Sequence, residues 1–315
     1  MCGIVGLFLK NRELEHRLGE LFQPMLLEMT QRGPDSTGFA IYRDPVPAGS
    51  VKLVLQHPSP GFDWSHVAAL LTDAFKADVD HRAIHTHCLL TLAAPEAAVR
   101  RYLGDQLPQV AIVSAGQHIE IYKEVGLLIE VAEAFDLKSM RGSHAIGHTR
   151  MATESAVTTA GSHPFSTGSD LCLVHNGSLS NHNRLRRKLQ KAGAVFSSEN
   201  DTEVAAQYFD VQMRQGASLE QALRNALVDL DGFYTFTVGT SDGFAVLRDP
   251  IACKPAVMAE TDDWVAMASE YRAIACLPGV ANARLWEPEP ATVYVWEGAG
   301  TGGALLGSGP LAKAG

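Results

Sequence analysis

The chain opens with an apolar segment, residues 2–9, that is punctuated by glycine and predicts a β-strand beginning at the N-terminus itself. This segment is far too short to cross a membrane or to act as the apolar region of a signal peptide. No other stretch of the sequence reaches transmembrane length. We therefore expect a cytoplasmic protein that has no membrane partner.

A helix and a second strand follow in the N-terminal region. Residues 14–29 place leucine, phenylalanine and methionine at helical spacing, which predicts an amphipathic helix. The helix is expected to end at the Arg-Gly-Pro-Asp sequence that starts at Arg32, because glycine and proline do not continue it. A short strand is predicted at 39–42.

The pattern changes between residues 44 and 141, where strand signals alternate with helix signals. The alternation predicts a small α/β insert of about a hundred residues. Its last two strands are expected to form a hairpin across the turn at 114–116. The segments are strands at 51–56, 82–92, 110–113 and 119–122, and helices at 66–75, 95–103 and 127–135.

Strand signals dominate again from residue 142 to residue 298, and three helices interrupt them. Ser218 and Gln221 form a capping box at the start of the third helix. The final residues, 299–315, are rich in glycine and alanine and predict a flexible tail. The strands are predicted at 145–149, 171–175, 233–238, 243–247, 264–268 and 292–296, and the helices at 181–191, 202–214 and 219–230.

Composition limits the classes of partner that the chain can have. It has 315 residues and a formal net charge of −9, with 46% hydrophobic residues, which is typical of a soluble globular protein. An acidic chain is not expected to bind nucleic acid or an anionic membrane. The five cysteines contain no CxxC pair and predict reduced thiols, not a disulfide framework or an iron–sulfur site.

Three histidines, His81, His85 and His87, fall on one face of the strand predicted at 82–92 and its flank. Imidazoles at this spacing can ligate zinc. The alternative is a partly exposed strand or interface without metal, which we prefer because no second ligand pair has zinc spacing. No sequence signal for a flavin, nicotinamide or ATP site is present, so we expect neither metal nor cofactor on this chain.

The order Met1-Cys2-Gly3 is the sharpest local feature. Small second residues permit removal of the initiator methionine, which would leave Cys2 as the N-terminal residue. Its α-amino group, which titrates near pH ~8, could then act as the base for its own thiol. The alternative is a chance cysteine in a first strand.

Four further segments stand out, and each has an ordinary structural explanation. The glycines of the loop at 32–38 could simply turn the chain. Arg150, just after a predicted buried strand, could be a surface ion-pair partner. Asn176-Gly177 is the commonest tight-turn dipeptide, and Asp201, which opens a helix, is a good N-cap.

Together and in this order, the five segments resemble the class II glutamine amidotransferases, which are N-terminal nucleophile hydrolases. The resemblance covers residues 1–43 and 142–250 and is highly specific, because five separate motifs would have to coincide by chance. It implies an α+β fold, a four-layer αββα sandwich of two antiparallel sheets, in a domain formed by 1–43 and 142–298. The α/β insert, 44–141, lies outside the resemblance.

The same resemblance implies a role for each site residue. Cys2 would attack the side-chain amide of glutamine and form a γ-glutamyl thioester, with release of ammonia. Asn176, through its side chain, and Gly177, through its backbone N–H, would form the oxyanion hole. The other residues would bind glutamine: Arg150 and Thr153 at the α-carboxylate, Asp201 at the α-ammonium group, and Arg32 and His163 as walls of the pocket.

Two residues depart from the family pattern. Met151 stands where an aromatic residue is usual, and Glu154 follows Thr153 where a different residue is expected. These departures bear on the tightness of the glutamine pocket and not on the reaction class. Two alternatives stay open: an N-terminal nucleophile amidase that acts on another amide, and a non-catalytic structural or regulatory subunit that kept the fold.

Within the family, the sequence looks most like the stand-alone GlxB type, which is similar to the amidotransferase domain of glutamate synthase and includes the small subunit of N-methylglutamate synthase. This likeness implies a glutaminase subunit that supplies ammonia to a separate synthase subunit. The expected partners are a flavin-containing synthase subunit and a third subunit resembling the C-terminal domain of glutamate synthase. FMN is expected on the synthase subunit, with an iron–sulfur cluster there as a further candidate.

Overall fold

The computed structural model describes residues 2–151 and 157–298. Its strands are β1 (Gly3–Leu9), β2 (Ser36–Tyr42), β3 (Val51–Gln56), β4 (Val79–Ile84), β5 (His87–Leu92), β6 (Ala111–Gly116), β7 (Ile119–Val125), β8 (His144–Arg150), β9 (Cys172–Leu179), β10 (Gly232–Thr240), β11 (Gly243–Arg248), β12 (Val257–Glu260), β13 (Trp264–Ala268), β14 (Arg284–Trp286) and β15 (Thr292–Glu297). Its α-helices are α1 (Leu18–Leu27), α2 (Trp64–Phe75), α3 (Glu96–Gln106), α4 (Leu128–Ala134), α5 (His182–Lys191), α6 (Asp201–Arg214), α7 (Leu219–Asp229) and α8 (Tyr271–Ile274). Short 3₁₀ segments lie at Arg12–Arg17, Thr30–Arg32, Leu137–Ser139 and Val280–Asn282.

Two antiparallel sheets form the centre of the molecule. The larger has the strand order β14-β12-β13-β1-β8-β2-β7, and the smaller has the order β15-β11-β10-β9. The sheets lie face to face: a Cβ placed on Gly6 of β1 would be 3.2 Å from side-chain atoms of Phe244 in β11 and Thr237 in β10. Because Gly6 has no side chain, the two sheets approach closely at this point.

Helices cover the outer face of each sheet. Helix α1 buries Phe22 and Leu26 against β8, where a Cβ on Gly147 would lie 2.9 Å from both side chains. On the other side of the molecule, α5, α6 and α7 share an apolar core with the small sheet, and Phe209 and Phe236 are completely buried there. The layers therefore follow the order helix, sheet, sheet, helix, and the predicted αββα fold is confirmed.

A third antiparallel sheet, β4-β5-β3-β6, packs with α2 and α3 around its own apolar core. It accounts for residues 51–116 of the predicted insert. The later elements belong to the large sheet, because β7 pairs with β2 and because α4 buries Leu128 and Val131 in the core of that sheet. The domain boundaries at 44 and 141 stay a prediction.

The hairpin predicted from 110–113 and 119–122 is wrong. Strand β6 pairs with β3 of the third sheet, whereas β7 pairs with β2 of the large sheet. The carboxylate of Asp170 accepts hydrogen bonds from three consecutive backbone N–H groups where β7 begins, those of Gln117 (2.8 Å), His118 (2.7 Å) and Ile119 (2.9 Å). This clamp directs β7 away from β6.

The single strand predicted at 82–92 is also wrong. The chain turns at His85, whose φ is +53°, so that β4 and β5 form a hairpin with Ile84 opposite His87. His81 and His87 therefore lie on different strands, and the expected histidine face does not exist. Within the described ranges, no three His, Cys, Asp or Glu side chains form a group that could hold a metal ion.

Among the helices of residues 2–151 and 157–298, none is long and apolar enough to cross a membrane. The tail predicted to be flexible, 299–315, lies outside the described residues.

Candidate active site

Cys2 and Arg150 meet where β1 begins and β8 ends. The two strands are antiparallel and their pairing begins with Gly3 opposite Thr149, so continuing this register by one residue sets Cys2 across from Arg150. The thiol sulfur of Cys2 is 4.0 Å from the carbonyl oxygen of Met151, and the residue is half-buried. The pairing of two strand ends therefore brings together residues that are far apart in sequence.

The side chains of this strand end face the small sheet. His148 in β8 donates from Nε2 to the carbonyl oxygen of His175 in β9, at 3.1 Å. Side chains alternate along a strand, so Arg150 projects from the same face of β8 as His148. The Arg150 side chain is buried with 6% of its surface exposed. Its Nη1 lies close to Gly161, 3.6 Å from the position that a Cβ would take there.

Arg32 holds the backbone of Cys2 in place through a hydrogen bond to its carbonyl oxygen. Its Nε donates to the carbonyl oxygen of Cys2 at 3.1 Å, and its Nη1 donates to the carboxylate of Glu270 at 2.7 Å. Gly33 lets this loop lie against β8, because a Cβ there would be 2.5 Å from the carbonyl carbon of Arg150. The glycine-rich loop predicted to shape the pocket thus reaches Cys2 through Arg32.

Glu270 was not identified from the sequence. It follows β13, the strand that pairs with β1, and it also binds Arg272, with Nε at 2.8 Å from its second carboxylate oxygen. A single acidic residue after an apolar strand carries no signal of such a role. Only the register of β13 against β1 shows that Glu270 orients the arginine beside Cys2.

Asn176 and Gly177 lie within β9 and not in a tight turn. The Asn176 side chain is 2% exposed, and its buried Nδ2 has no hydrogen-bond partner within residues 2–151 and 157–298. Gly177 has a φ of +148°, and a Cβ there would collide with the carbonyl oxygen of Phe233. Only glycine fits this position, and the buried amide beside it is a donor suited to an oxyanion.

Asp201 is the first residue of α6, and its neighbour Asn200 is the N-cap. The Asn200 side chain accepts from the N–H of Thr202 at 2.8 Å, which leaves the Asp201 carboxylate for other contacts. Asp201 Oδ2 accepts from the N–H of Leu179 at 2.9 Å, and Oδ1 lies 3.7 Å from Nδ1 of His175. Asp201 is thus not the cap that its position in the sequence suggested.

The Asp201 carboxyl is a stable anion. Burial raises its pKa, but the adjacent His175 and the hydrogen bond from Leu179 outweigh burial and lower the pKa to about 2. An anion at the first turn of a helix is also favoured by the helix dipole. Asn200 Nδ2 donates to the carbonyl oxygen of Gly161 at 3.4 Å. Because Gly161 lies close to the Arg150 guanidinium, this hydrogen bond connects the start of α6 with the surroundings of Arg150.

His163 lies beneath the site with only 5% of its surface exposed. Its Nε2 is 2.7 Å from Thr202 Oγ1, which is also 3.0 Å from Nδ1 of His175. The His163 ring stacks on His148 with centroids 3.9 Å apart. Burial lowers the pKa of His148 to about 3 and that of His163 well below its usual value, so both rings are neutral next to Arg150.

Lys123 in β7 is a second residue that was not identified from the sequence. Burial lowers its pKa to about 8, against the opposing effect of the Glu203 charge. The buried ammonium group organises the loop that carries His163. Its Nζ donates to three carbonyl oxygens of that loop, those of Ser162 (2.8 Å), Pro164 (3.3 Å) and Ala160 (3.4 Å).

Three residues of the sequence predictions lie outside the described residues: Met1, Thr153 and Glu154. Met151, the residue that departs from the family pattern, is described and has 39% of its surface exposed.

A separate cleft of about 1060 Å³ lies at the other end of the central strands. Its lining includes Leu9 at the end of β1, Arg43 just after β2 and Ser143 just before β8. A seven-residue strand is roughly 20 Å long, so this cleft is remote from Cys2. The candidate active site is therefore the strand end at Cys2 and not this cleft.

The chain is similar to known glutamine amidotransferases. A family model described as a glutamine amidotransferase domain matches residues 148–276. The glutamine amidotransferase-like protein GlxB of Rhizobium meliloti is 58% identical over 300 residues, which are 94% of this chain and 98% of that protein.

Solved structures show the same fold. The glutamine phosphoribosylpyrophosphate (PRPP) amidotransferase from B. subtilis matches with a TM-score of 0.60 at 20% identity, over 94% of this chain and 47% of that chain. The allosteric regulatory enzyme of purine biosynthesis matches with a TM-score of 0.61 at 22% identity over the same shares. The chain thus spans about half the length of each of these solved chains.

Proposed function

The chain belongs to the class II glutamine amidotransferase family, and on that premise we propose that it hydrolyses glutamine at Cys2 and passes the ammonia to a separate synthase subunit. The main support is that Cys2 directly precedes β1 next to the end of β8 at Arg150, with the thiol sulfur 4.0 Å from the carbonyl oxygen of Met151. A guanidinium matches the α-carboxylate of an amino acid, which supports the assignment of Cys2 as nucleophile and Arg150 as carboxylate ligand.

The nucleophile is the thiolate of Cys2 after removal of Met1. The free α-amino group takes the proton from Sγ, and the sulfur attacks the side-chain carbonyl carbon of glutamine. The tetrahedral intermediate collapses with proton transfer to the amide nitrogen, and ammonia leaves. Water then attacks the γ-glutamyl thioester, releases glutamate and restores the thiol. Arg32 orients this residue, because it donates to the Cys2 carbonyl oxygen.

Glutamine is recognised by opposite charges at its α-carbon. The planar guanidinium of Arg150 binds the α-carboxylate, and the Asp201 carboxylate, whose pKa of about 2 keeps it ionised, binds the α-ammonium group. Thr153 assists at the carboxylate. His163 supports the position of Asp201 indirectly, because its ring contacts Thr202, the residue after Asp201.

The oxyanion is stabilised by Asn176 and Gly177. A buried amide N–H without an acceptor destabilises a protein unless a bound substrate atom accepts its hydrogen bond. Asn176 Nδ2 is a buried donor without an acceptor among the described residues. The negative charge that develops on the glutamine oxygen would supply the acceptor. The backbone N–H of Gly177 is the second donor of the proposed hole.

The acceptor is a flavin-containing synthase subunit that carries FMN, with an iron–sulfur cluster there as a further candidate. A third subunit resembling the C-terminal domain of glutamate synthase completes a complex of the glutamate synthase or N-methylglutamate synthase kind. The similarity to GlxB of Rhizobium meliloti along 98% of that protein supports the GlxB type, and the partners and their cofactors follow from what the resemblance to that type implies. Arg150 and Asp201 favour an α-amino acid substrate over another amide. The non-catalytic alternative has its support in Met151 and Glu154, and the presence of Cys2 favours a catalytic chain over it.

A pair of cysteine variants tests the proposed reaction. We expect Cys2→Ala to abolish ammonia release from glutamine, because it removes the attacking sulfur and leaves the strand pairing of β1 intact. Cys253→Ala, at an exposed free cysteine, is the matched control and should retain full activity. Ammonia release by Cys2→Ala at the wild-type rate would contradict the proposal, and circular dichroism of both variants reports whether the fold is kept.

A further inference from the structure

A stripe of basic side chains runs along the solvent face of α5. Its members, here called the α5 stripe, are Arg184, Arg187, Lys188 and Lys191, all exposed. Their spacing of i, i+3, i+4 and i+7 places them on one side of the helix. Leu185 and Leu189 of the same helix are buried in the apolar core with the small sheet.

The acidic side chain that lies at α5 does not pair with the α5 stripe: the carboxylate of Glu199 lies 4.0 Å from Nε of Arg186, which is not a member of the stripe. Helix α5 contains no acidic residue. Throughout residues 2–151 and 157–298, no carboxylate lies within ion-pair distance of the four side chains. This clustering occurs in a chain whose formal net charge is −9.

Helix stability does not account for the α5 stripe. Lys188 and Lys191 lie near the C-terminal end of the helix, where the helix dipole favours cations. Arg184 and Arg187 lie in its first two turns and gain nothing from the dipole. Like charges at this spacing also repel each other and destabilise a helix. The arrangement therefore requires another explanation.

The same helix is linked to the candidate active site. Arg186 turns inward from α5, and its Nη1 donates to the carbonyl oxygen of Ser198 at 2.7 Å. Its Nη2 donates to the carbonyl oxygen of Asn200 at 3.3 Å. Asn200 caps α6, whose first residue is Asp201. One buried side chain thus connects α5 with the segment that positions the glutamine-binding carboxylate.

We propose that the α5 stripe docks an acidic surface of a partner protein, and that Arg186 connects this contact to the glutamine pocket. The partner class rests on the proposed function, in which a second protein takes up the ammonia. A protein partner fits the size of the site, because the stripe is confined to one helix of ten residues. An extended polyanion would reach beyond α5 and be repelled by the rest of the chain, which is acidic.

Crosslinking of the intact complex tests the location. The complex is isolated through a tag at the C-terminus of the chain, so that Cys2 stays free. A carbodiimide then activates carboxyl groups, which form amide bonds with lysine amines that lie against them. We expect Lys188 and Lys191 to be joined to an acidic segment of a second protein, and the exposed Lys138 to be unlinked. The absence of a stoichiometric partner, or crosslinks that avoid both lysines, would overturn the proposal.

Charge reversal tests the affinity. The variant Arg184→Glu, Arg187→Glu, Lys188→Glu should weaken binding of the crosslinked partner by about 10-fold or more, with loss of its salt dependence. The matched control reverses three other exposed cations, Arg101→Glu, Lys138→Glu, Arg141→Glu, and changes the net charge equally. It should bind within about 2-fold of the wild type. Equal weakening in both variants would overturn the proposal.

Two further probes separate the classes of partner. A short DNA duplex and vesicles that contain phosphatidylserine should not bind the wild-type chain through the α5 stripe. Binding of either one that the charge reversal abolishes would overturn the assignment to a protein.

Glutamine hydrolysis by the isolated chain should be the same in both charge-reversal variants. A chain that binds its partner but releases no ammonia would refute the proposed function and not the docking surface.

Discussion

Single residues of the candidate site are fixed by contacts that their neighbours in sequence do not provide. Arg32 holds the carbonyl group of Cys2, and Glu270 holds Arg32. Asp201 keeps its charge because His175 and a backbone N–H stabilise it. Gly177 has a φ of +148° that only glycine adopts readily. The chemistry of each residue therefore depends on a partner from another element.

Removal of the Asn176 side chain should slow the chemical step. We expect Asn176→Ala to lower kcat by roughly 10²–10³-fold with little change in KM, because the lost donor acts on the transition state. Steady-state ammonia release from glutamine measures both constants. Asn282→Ala, at an exposed position, should behave as the wild type. A large rise in KM with unchanged kcat would show that Asn176 binds the ground state.

Replacement of Arg150 by lysine should affect binding more than chemistry. We expect Arg150→Lys to raise the KM for glutamine by roughly 10–100-fold, since a single ammonium group cannot reproduce a two-point contact with a carboxylate. The same assay with glutamine and with a substrate analogue lacking the α-carboxylate measures the effect. The variant should lose the preference for glutamine over that analogue. An unchanged preference would contradict the assigned role.

The buried Lys123 should make stability depend on pH. Its pKa is about 8 in the folded protein, whereas lysine in an unfolded chain titrates near 10.5. The unfolded state therefore binds more protons between these values, and the free energy of unfolding should rise with pH across that window. The rise attributable to Lys123 is on the order of 3 kcal/mol.

Urea unfolding at a series of pH values compares the wild type with Lys123→Met. The difference in slope between pH ~8 and ~10 is the contribution of this lysine. Parallel curves for the two proteins would show that the amine does not titrate in that window.

Several elements could be predicted from the sequence because their periodicity is strong. The strands predicted at 145–149, 171–175 and 264–268 lie within or overlap β8, β9 and β13. The helix at 202–214 corresponds to α6. Short apolar runs set the type of an element but not its partner, and this is why the hairpin before residue 122 was predicted wrongly.

Long-range contacts could not be predicted in the same way. Lys123 reads as an ordinary surface lysine, since it lies two residues before the end of a strand. Its partners are the carbonyl oxygens of a loop about forty residues later, which carry no sequence signal. Asn176-Gly177 was found through a family motif, but its position inside β9 and not in a turn follows from pairing with β10.

The clamp at Asp170 should be necessary for the junction of the large and third sheets. Asp170→Ala should lower the free energy of unfolding by about 2–4 kcal/mol, because one buried and two half-buried N–H groups lose a charged acceptor. Asp170→Asn should cost less, since asparagine tolerates the positive φ of 51° and keeps one acceptor oxygen. Urea unfolding measures both variants. Equal stability of Asp170→Ala and the wild type would contradict the role of the clamp.

On the scale of the whole molecule, the sandwich gathers the site at one end of its two sheets. Cys2 directly precedes β1, Arg150 ends β8, and Asn176 lies in β9. Helix α6, on the outside of the small sheet, brings Asp201 to the same end through its contact with Leu179 of β9. The cleft lined by Leu9, Arg43 and Ser143 lies at the opposite end of the central strands. The third sheet reaches the site end through its β4–β5 turn, where Thr86 Oγ1 donates to the carboxylate of Glu124 at 2.7 Å.

The most direct test is peptide mass spectrometry of active protein after treatment with diazo-oxo-norleucine, a thiol-reactive analogue of glutamine. We predict that the N-terminal peptide begins at Cys2 and carries the adduct on that residue, with loss of ammonia release in proportion to labelling. Retention of Met1 in active protein, or an adduct on Cys253 or Cys276 with Cys2 unmodified, would contradict the account.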